Sequence, residues 1–211
     1  PVESYTRVKQ DGATFKLSAN LSGVKVTSIT GYSHLSDAWR QDFSGGVSLG
    51  GPRVALFDRI SDTGQHQFSE EVQVSGKALQ NKLEYVGGLF YFSEKGQQDV
   101  FSSIFFTPSR VIFRPDTSST AVFGQLTWHV DDKLALLLGG RQTTDEKKLD
   151  GTLNNTAFSQ TNTYRRFTPK VGLDYKIDPE VLTYISYSEG FKSGGYNGLA
   201  SSIAQITQAF L

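Results

Sequence analysis

Arg166-Phe167-Thr168-Pro169-Lys170-Val171-Gly172-Leu173-Asp174-Tyr175-Lys176-Ile177, residues 166–177, decides the fold. Phe167, Pro169, Val171, Leu173, Tyr175 and Ile177 are apolar, and every residue between them is charged, polar or glycine. A period of two sends the two sets to opposite faces of a β-strand, whereas a helix would mix them. The same alternation spreads outward along the chain. Phe15, Leu17, Ala19 and Leu21 oppose Thr14, Lys16, Ser18 and Asn20. Val24, Val26 and Tyr32 share a face with Ser28 and Thr30, and Glu70 interrupts a row of Phe68, Val72 and Val74. Val122, Gly124, Leu126, Trp128 and Val130 stand opposite Gln125, Thr127 and His129, and Leu134, Leu136 and Leu138 stand opposite Ala135, Gly139 and Arg141. Val181, Ile185, Tyr187 and Phe191 oppose Ser186, Ser188 and Lys192. Residues 83–95 are apolar on both sides, which leaves their faces unassigned.

These patterns predict eight strands, at residues 10–22, 24–41, 65–77, 83–96, 118–130, 133–147, 163–177 and 181–193. Most exceed the usual ~5–6 residues, and a tilted strand needs ~9–11 to cross a bilayer. Their connections alternate in length. Short turns fall at Ser22-Gly23, residues 78–82, residues 130–133 and Asp178-Pro179-Glu180. Long loops are expected at 42–64, 97–117, 148–162 and from 194 to the end. All long loops then share one rim, the asymmetry of an up-and-down transmembrane β-barrel. Trp128, Tyr175 and Tyr184 near the short turns, and Tyr32, Phe90, Tyr91, Phe92, Tyr187 and Phe191 near the long loops, would form its two aromatic girdles.

Composition narrows the function classes. Lys plus Arg and Asp plus Glu are equal at 21 each, so the chain lacks the basic surplus of a nucleic-acid binder. Without cysteine there is no disulfide, thiolate nucleophile or thiolate metal site. The longest apolar run, Leu134 to Leu138, is far below the ~20 residues of a spanning helix. A mean hydropathy of -0.31 suits a barrel, whose strands show lipid only every second side chain. The opening Pro1-Val2-Glu3-Ser4 has no export segment and reads as a mature product or a piece of something longer.

Several motifs then stand in a telling order: Gln67-Phe68-Ser69-Glu70-Glu71-Val72, Tyr85-Val86-Gly87-Gly88-Leu89-Phe90-Tyr91-Phe92, Ala121-Val122-Phe123-Gly124-Gln125, Leu138-Gly139-Gly140-Arg141, the opening stretch from Phe167 to Tyr175, and residues 184–195. Together with Val26-Thr27-Ser28-Ile29-Thr30-Gly31-Tyr32, this succession resembles the barrel of TonB-dependent outer-membrane receptors over residues 10–198. The resemblance implies a slice of a barrel of about 22 strands. It implies a bacterial outer-membrane location and import of a ferric siderophore or another scarce nutrient. It also implies partners outside this stretch: the remaining strands, a plug, and the TonB complex. Nothing here looks like a plug, so residues 1–211 read as one partial barrel domain.

Enzyme chemistry finds no footing. His34, His66 and His129 are far apart in sequence, and no metal-ligand spacing or other cofactor motif accompanies them. Asp131-Asp132 reads as turn chemistry. Glu70 and Glu71 are neighbours on a strand and point to opposite faces, so they cannot share a substrate. Glu71, on the polar face, is expected to pair with Arg141, Lys170 or Lys192. Ligand binding is better sought in the long loops. Arg53, Arg59, Arg110, Arg114, Arg165 and Arg166 form a scattered cationic rim suited to planar anionic groups on a small-molecule cargo, or to lipopolysaccharide phosphates. Phe101, Phe105, Phe106 and Phe113 offer stacking surfaces or pack their loop. Two rival architectures stay open at this point: a self-closing eight-stranded barrel with a structural or adhesive role, and a soluble ligand-binding β-protein with its apolar rows inside.

Overall fold

The computed structural model describes residues 3–197 and 202–207. Long strands dominate: β1 (Tyr5–Leu21), β2 (Val24–Asp42), β5 (Phe57–Ala78), β6 (Leu83–Ile104), β7 (Thr107–His129), β8 (Leu134–Leu153), β9 (Thr156–Lys176) and β10 (Leu182–Ser188). Between β2 and β5 lie two short strands, β3 (Val47–Ser48) and β4 (Arg53–Val54), and a helix α1 (Ile203–Thr207) follows β10. Among the described residues the long strands make one antiparallel sheet in the order β1-β2-β5-β6-β7-β8-β9-β10, and β3 pairs β4 in a separate hairpin. Among the described residues β1 and β10 each have a partner on one side only. The wall is therefore open, and these eight strands do not close on themselves.

The register never slips along any ladder, from Tyr5↔Arg40 at one edge to Ser188↔Lys170 at the other, and pairing lapses only at Gly96-Gln97 against Arg114-Pro115. With no extra residue inserted, a face assigned once holds for the whole strand. Phe167, Val171, Leu173 and Tyr175 of β9 thus share a face with Leu134, Leu136 and Leu138 of β8, Val122, Leu126 and Trp128 of β7, and Leu83, Tyr85, Leu89 and Tyr91 of β6. This also assigns residues 83–95: Glu84, Val86, Gly88, Phe90 and Phe92 lie on the polar face. Phe90, Phe92 and Tyr184, expected in the girdles, stand on the polar side because each is one residue out of phase with the apolar row.

Nothing among the described residues covers the apolar face. Phe15, Leu89, Leu138 and Phe167 leave 65, 64, 59 and 56% of their surface open. A compact interior filled by the apolar rows, as a soluble β-protein would need, is not what the strands build. Three of the polar residues that interrupt this face meet, where Glu70 accepts hydrogen bonds from Ser28 Oγ at 2.6 Å and Thr30 Oγ1 at 2.5 Å. Gathering them lets one acceptor satisfy two hydroxyls.

Two of the expected long loops are strand. Residues 97–117 form the tall end of the β6–β7 hairpin, closed by a turn at Phe105-Phe106, and residues 148–162 form that of β8–β9, closed at Asn154-Asn155. All four turn residues have positive φ, at 48, 66, 47 and 69°, the signature of a type I′ turn. Prolines and charges in these stretches suggest loop by composition, yet Pro115 interrupts the β6–β7 ladder only locally, opposite Gly96 and Gln97. β7 runs 23 residues, about twice what a bilayer crossing requires. The first long connection does contain a loop, shortened to 43–56, and the segment after β10 leaves the sheet at Ser188. Of that last segment, residues 198–201 and 208–211 lie outside the described residues.

Candidate functional site

On the polar face, midway across β6–β9, a recess of about 370 Å³ opens among Gln73, Phe123, Gln125, Arg141, Thr168 and Lys170. Its shape starts from a missing side chain. Gly88 stands directly opposite Phe123, and a Cβ there would come within 2.6 Å of the Phe123 ring. The ring lies across the glycine, and Arg141, directly opposite Phe123 on β8, lies against the ring. Its guanidinium carbon is 5.7 Å from the Phe123 ring centre and 4.9 Å from that of Phe90. Arg141 Nε also donates to Thr143 Oγ1 at 3.2 Å. Two aromatic faces and a hydroxyl orient this cation while leaving it able to bind an anion. Lys170, on the same recess, donates from Nζ to Gln125 Oε1 at 3.3 Å. Glu71 does not pair with either cation; its partner is Gln73, two residues along the strand. From sequence Arg141 is expected only as a wall-stiffening partner of Glu71, since nothing local to Leu138-Gly139-Gly140-Arg141 announces the rings beside it.

The arginines expected at the rim separate by face. Arg59 stands on the polar face over Trp39, 6.0 Å from its ring centre, with a buried Nε that has no hydrogen-bond partner. Arg166, also on the polar face, is bonded to Glu189 at 3.0 Å. Arg110, Arg114 and Arg165 share the opposite face, and Arg53 lies in the β3–β4 hairpin. Arg110 is bound on two sides by Asp99, with Nε 2.9 Å from Oδ1, and this contact holds the Asp99 carboxyl below the usual carboxylate range. The set therefore does not converge on one point.

Asp145 and Tyr164 face each other across β8 and β9 on the polar side, and Asp145 Oδ1 and the Tyr164 hydroxyl are both buried without a hydrogen-bond partner. Sequence alone places Asp145 in a charged stretch that reads as a solvated rim and gives no sign of Tyr164 beside it, because only the register makes them neighbours. A guest hydroxyl or amine, or a water, would satisfy both.

His34 and His66 are directly opposite on β2 and β5, one step beyond Tyr32 and Phe68, and His129 sits 3.6 Å from Glu84 at the short-turn end. Among the described residues no group of three or more His, Asp or Glu side chains is arranged to hold a metal. Asp131 accepts backbone N–H bonds from Lys133 and Leu134, both at 2.8 Å, so its carboxylate serves its own turn. Those two donors draw its pKa below the ordinary value.

Comparison with known proteins agrees with this two-faced wall. Three solved structures share its architecture. The ferric yersiniabactin uptake receptor FyuA from Yersinia pestis matches 94% of this chain and 30% of its own, with a TM-score of 0.78 at 14% identity. The siderophore receptor PiuA from Acinetobacter baumannii matches 88% of this chain and 32% of its own, at 0.65 and 16%. BauA, the ferric preacinetobactin receptor from the same organism, matches 98% and 34%, at 0.62 and 18%. The chain thus spans 30 to 34% of the length of these structures. Residues 2–210, nearly the whole chain, match the family described as TonB dependent receptor-like, beta-barrel. With eight long antiparallel strands, one face apolar and open and the other polar and recessed, the chain belongs to that family.

Proposed function

We propose that this chain is part of the wall of an outer-membrane importer for a small anionic ferric chelate, working without covalent chemistry. The observation that carries the reading is the two-sidedness of the sheet: an uncovered apolar face suited to hydrocarbon, and a polar face with an oriented cation suited to an aqueous passage. Unpaired edges at β1 and β10 cannot stand in a bilayer, so on this reading further strands of the same receptor pair with them, and the family supplies a plug inside the wall. The TonB complex engages through segments outside these residues.

Face separation divides the arginines between two tasks. Arg59 and Arg166 on the lumen side, with Arg53 at the mouth, meet the cargo. Arg110, Arg114 and Arg165 on the outer side meet lipopolysaccharide phosphates above the apolar belt. A strain deleted for the full receptor and complemented with it tests this, grown under iron limitation on ferric hydroxamate, catecholate and carboxylate chelates. Growth on at least one chelate should depend on the receptor, and Arg59→Ala should weaken that growth more than Arg165→Ala. Receptor-independent growth on all three would overturn the reading.

A further inference from the structure

The recess on β6–β9 carries an unbalanced charge. Arg141 pairs with Thr168 and Gly139 with Lys170, so the two cations stand on one face at diagonal positions of β8 and β9. Like charges so placed repel. Neither meets a carboxylate among the described residues: Arg141 has the Phe90 and Phe123 rings and Thr143 Oγ1, and Lys170 has the neutral amide of Gln125. The acids nearby are turned elsewhere, Glu71 to the Gln73 amide and Glu189 to Arg166 at 3.0 Å and the Tyr187 hydroxyl at 3.1 Å. Two positive charges are therefore left facing one hollow of about 370 Å³.

Local structure keeps both cations available. Rings cover the faces of the Arg141 guanidinium and Thr143 takes its Nε, so the terminal nitrogens keep their N–H groups in the fork that suits a carboxylate or another paired-oxygen anion. Gly139 stands between Gln125 and Lys170 in one cross-strand row. With no side chain there, Lys170 reaches over β8 to Gln125 and stays exposed. On the outer side the same stretch of wall presents Leu126, Leu138 and Phe167. With apolar material behind it, a cleft of one sign concentrates its field on whatever enters. An anion seated between the two cations converts their repulsion into attraction. A stop on a passage must bind firmly enough to fill and weakly enough to empty, and one guanidinium with one ammonium, both open to water, meets that condition.

We propose that the Arg141–Lys170 recess is an internal stop for the cargo, an anion site partway along the passage that takes the chelate's anionic oxygens after they leave the mouth arginines. That cargo stops there rests on the uptake reading; that the recess prefers anions does not. The test uses the full receptor, freed of other cysteines, in energised cells, with Thr168→Cys directly opposite Arg141 as the reporter. The probes are a sulfonate and a trimethylammonium methanethiosulfonate, each rate divided by that with a free thiol. The sulfonate should then react roughly tenfold faster, and Arg141→Gln should remove most of that preference. Lys170→Gln, outside the ring stack, should lower it less, which keeps the test usable if Arg141→Gln fails to assemble. No preference, or one that neither substitution lowers, overturns the site. Absence of labelling by both reagents also overturns it, because the hollow would then be filled by a fixed partner such as a plug carboxylate. With the chelate that supports receptor-dependent growth as the probe, Arg141→Gln should lower the saturated uptake rate several-fold with a smaller rise in the half-saturating concentration. An unchanged saturated rate overturns the stop. The thiol arm contains no chelate, so the uptake reading can fail while the anion site stands, and the anion site can fail while growth still depends on the receptor.

Discussion

The lower and upper halves of the wall follow the same pleat and use it in opposite senses. From Phe167 to Tyr175 of β9 the apolar side chains face away from the recess and the polar ones face it. Higher on the same strands the assignment inverts. Arg110, Arg114, Lys148 and Thr161 hold the outer side, while Phe113, Leu149 and Phe158 hold the inner one. No bulge intervenes, so the backbone does not cause the switch. On the proposed reading a change of surroundings does: hydrocarbon against the lower outer face, water against the upper one. The lesson is that alternation reports two-sidedness, and which side is oily depends on height.

The largest test of that contrast is a charge on the lower outer face. Val171→Arg should cost about 2–4 kcal/mol in denaturant unfolding of the full receptor in liposomes, while Lys170→Ala should stay within about 0.5 kcal/mol. Near-equal losses would break the face assignment. In the upper half the sensitive position is inward. Gly151→Val would drive a side chain first into the Ile112 backbone carbonyl and then into the Phe158 ring, and should cost about 1–3 kcal/mol or more by overpacking, visible as a lowered melting temperature.

A smaller effect separates the two tall hairpin tips. Asn154-Asn155 tolerates positive φ readily, whereas Phe105-Phe106 adopts the same geometry against its preference, with 72 and 63% of the two residues exposed. Replacing Phe105-Phe106 by Asn-Gly should stabilise the hairpin by about 1 kcal/mol, measured by denaturant unfolding. An unchanged or lowered midpoint would show that the rings earn their place through contacts. The smallest expected effect is at Asp99. Because Arg110 holds its folded pKa below the unfolded one, its contribution is present above the ordinary carboxylate range and fades as pH falls through the folded value. Hydrogen exchange at the tip of β6–β7 should therefore show protection that weakens only at acid pH, and Asp99→Asn should flatten that dependence.

Legibility in the sequence followed the same division. Every strand of the lower half except residues 83–95 is legible from alternation, and Leu138-Gly139-Gly140-Arg141 falls on a strand with its faces known. Residues 97–117 and 148–162 read as loops from sequence because their apolar residues do not alternate cleanly and prolines or paired asparagines interrupt them, a pattern that local composition does not distinguish from a solvated connection. Pairing with a neighbour makes them strand, and pairing is a property of the sheet. Tyr184 and Phe90 were misplaced for a related reason: an aromatic near a strand end suggests a girdle until parity says which way it points.

By itself the sequence determined that the chain is a succession of two-faced strands joined by tight turns at one rim, since period and turn chemistry act between near neighbours. Tertiary structure alone decided that Arg141 lies between Phe90 and Phe123, that Asp145 meets Tyr164, and that Ile206 returns to Phe113, Leu149 and Phe158. Those contacts join residues far apart in the chain, and only the summed register of the ladders and the burial of a distant segment bring them together.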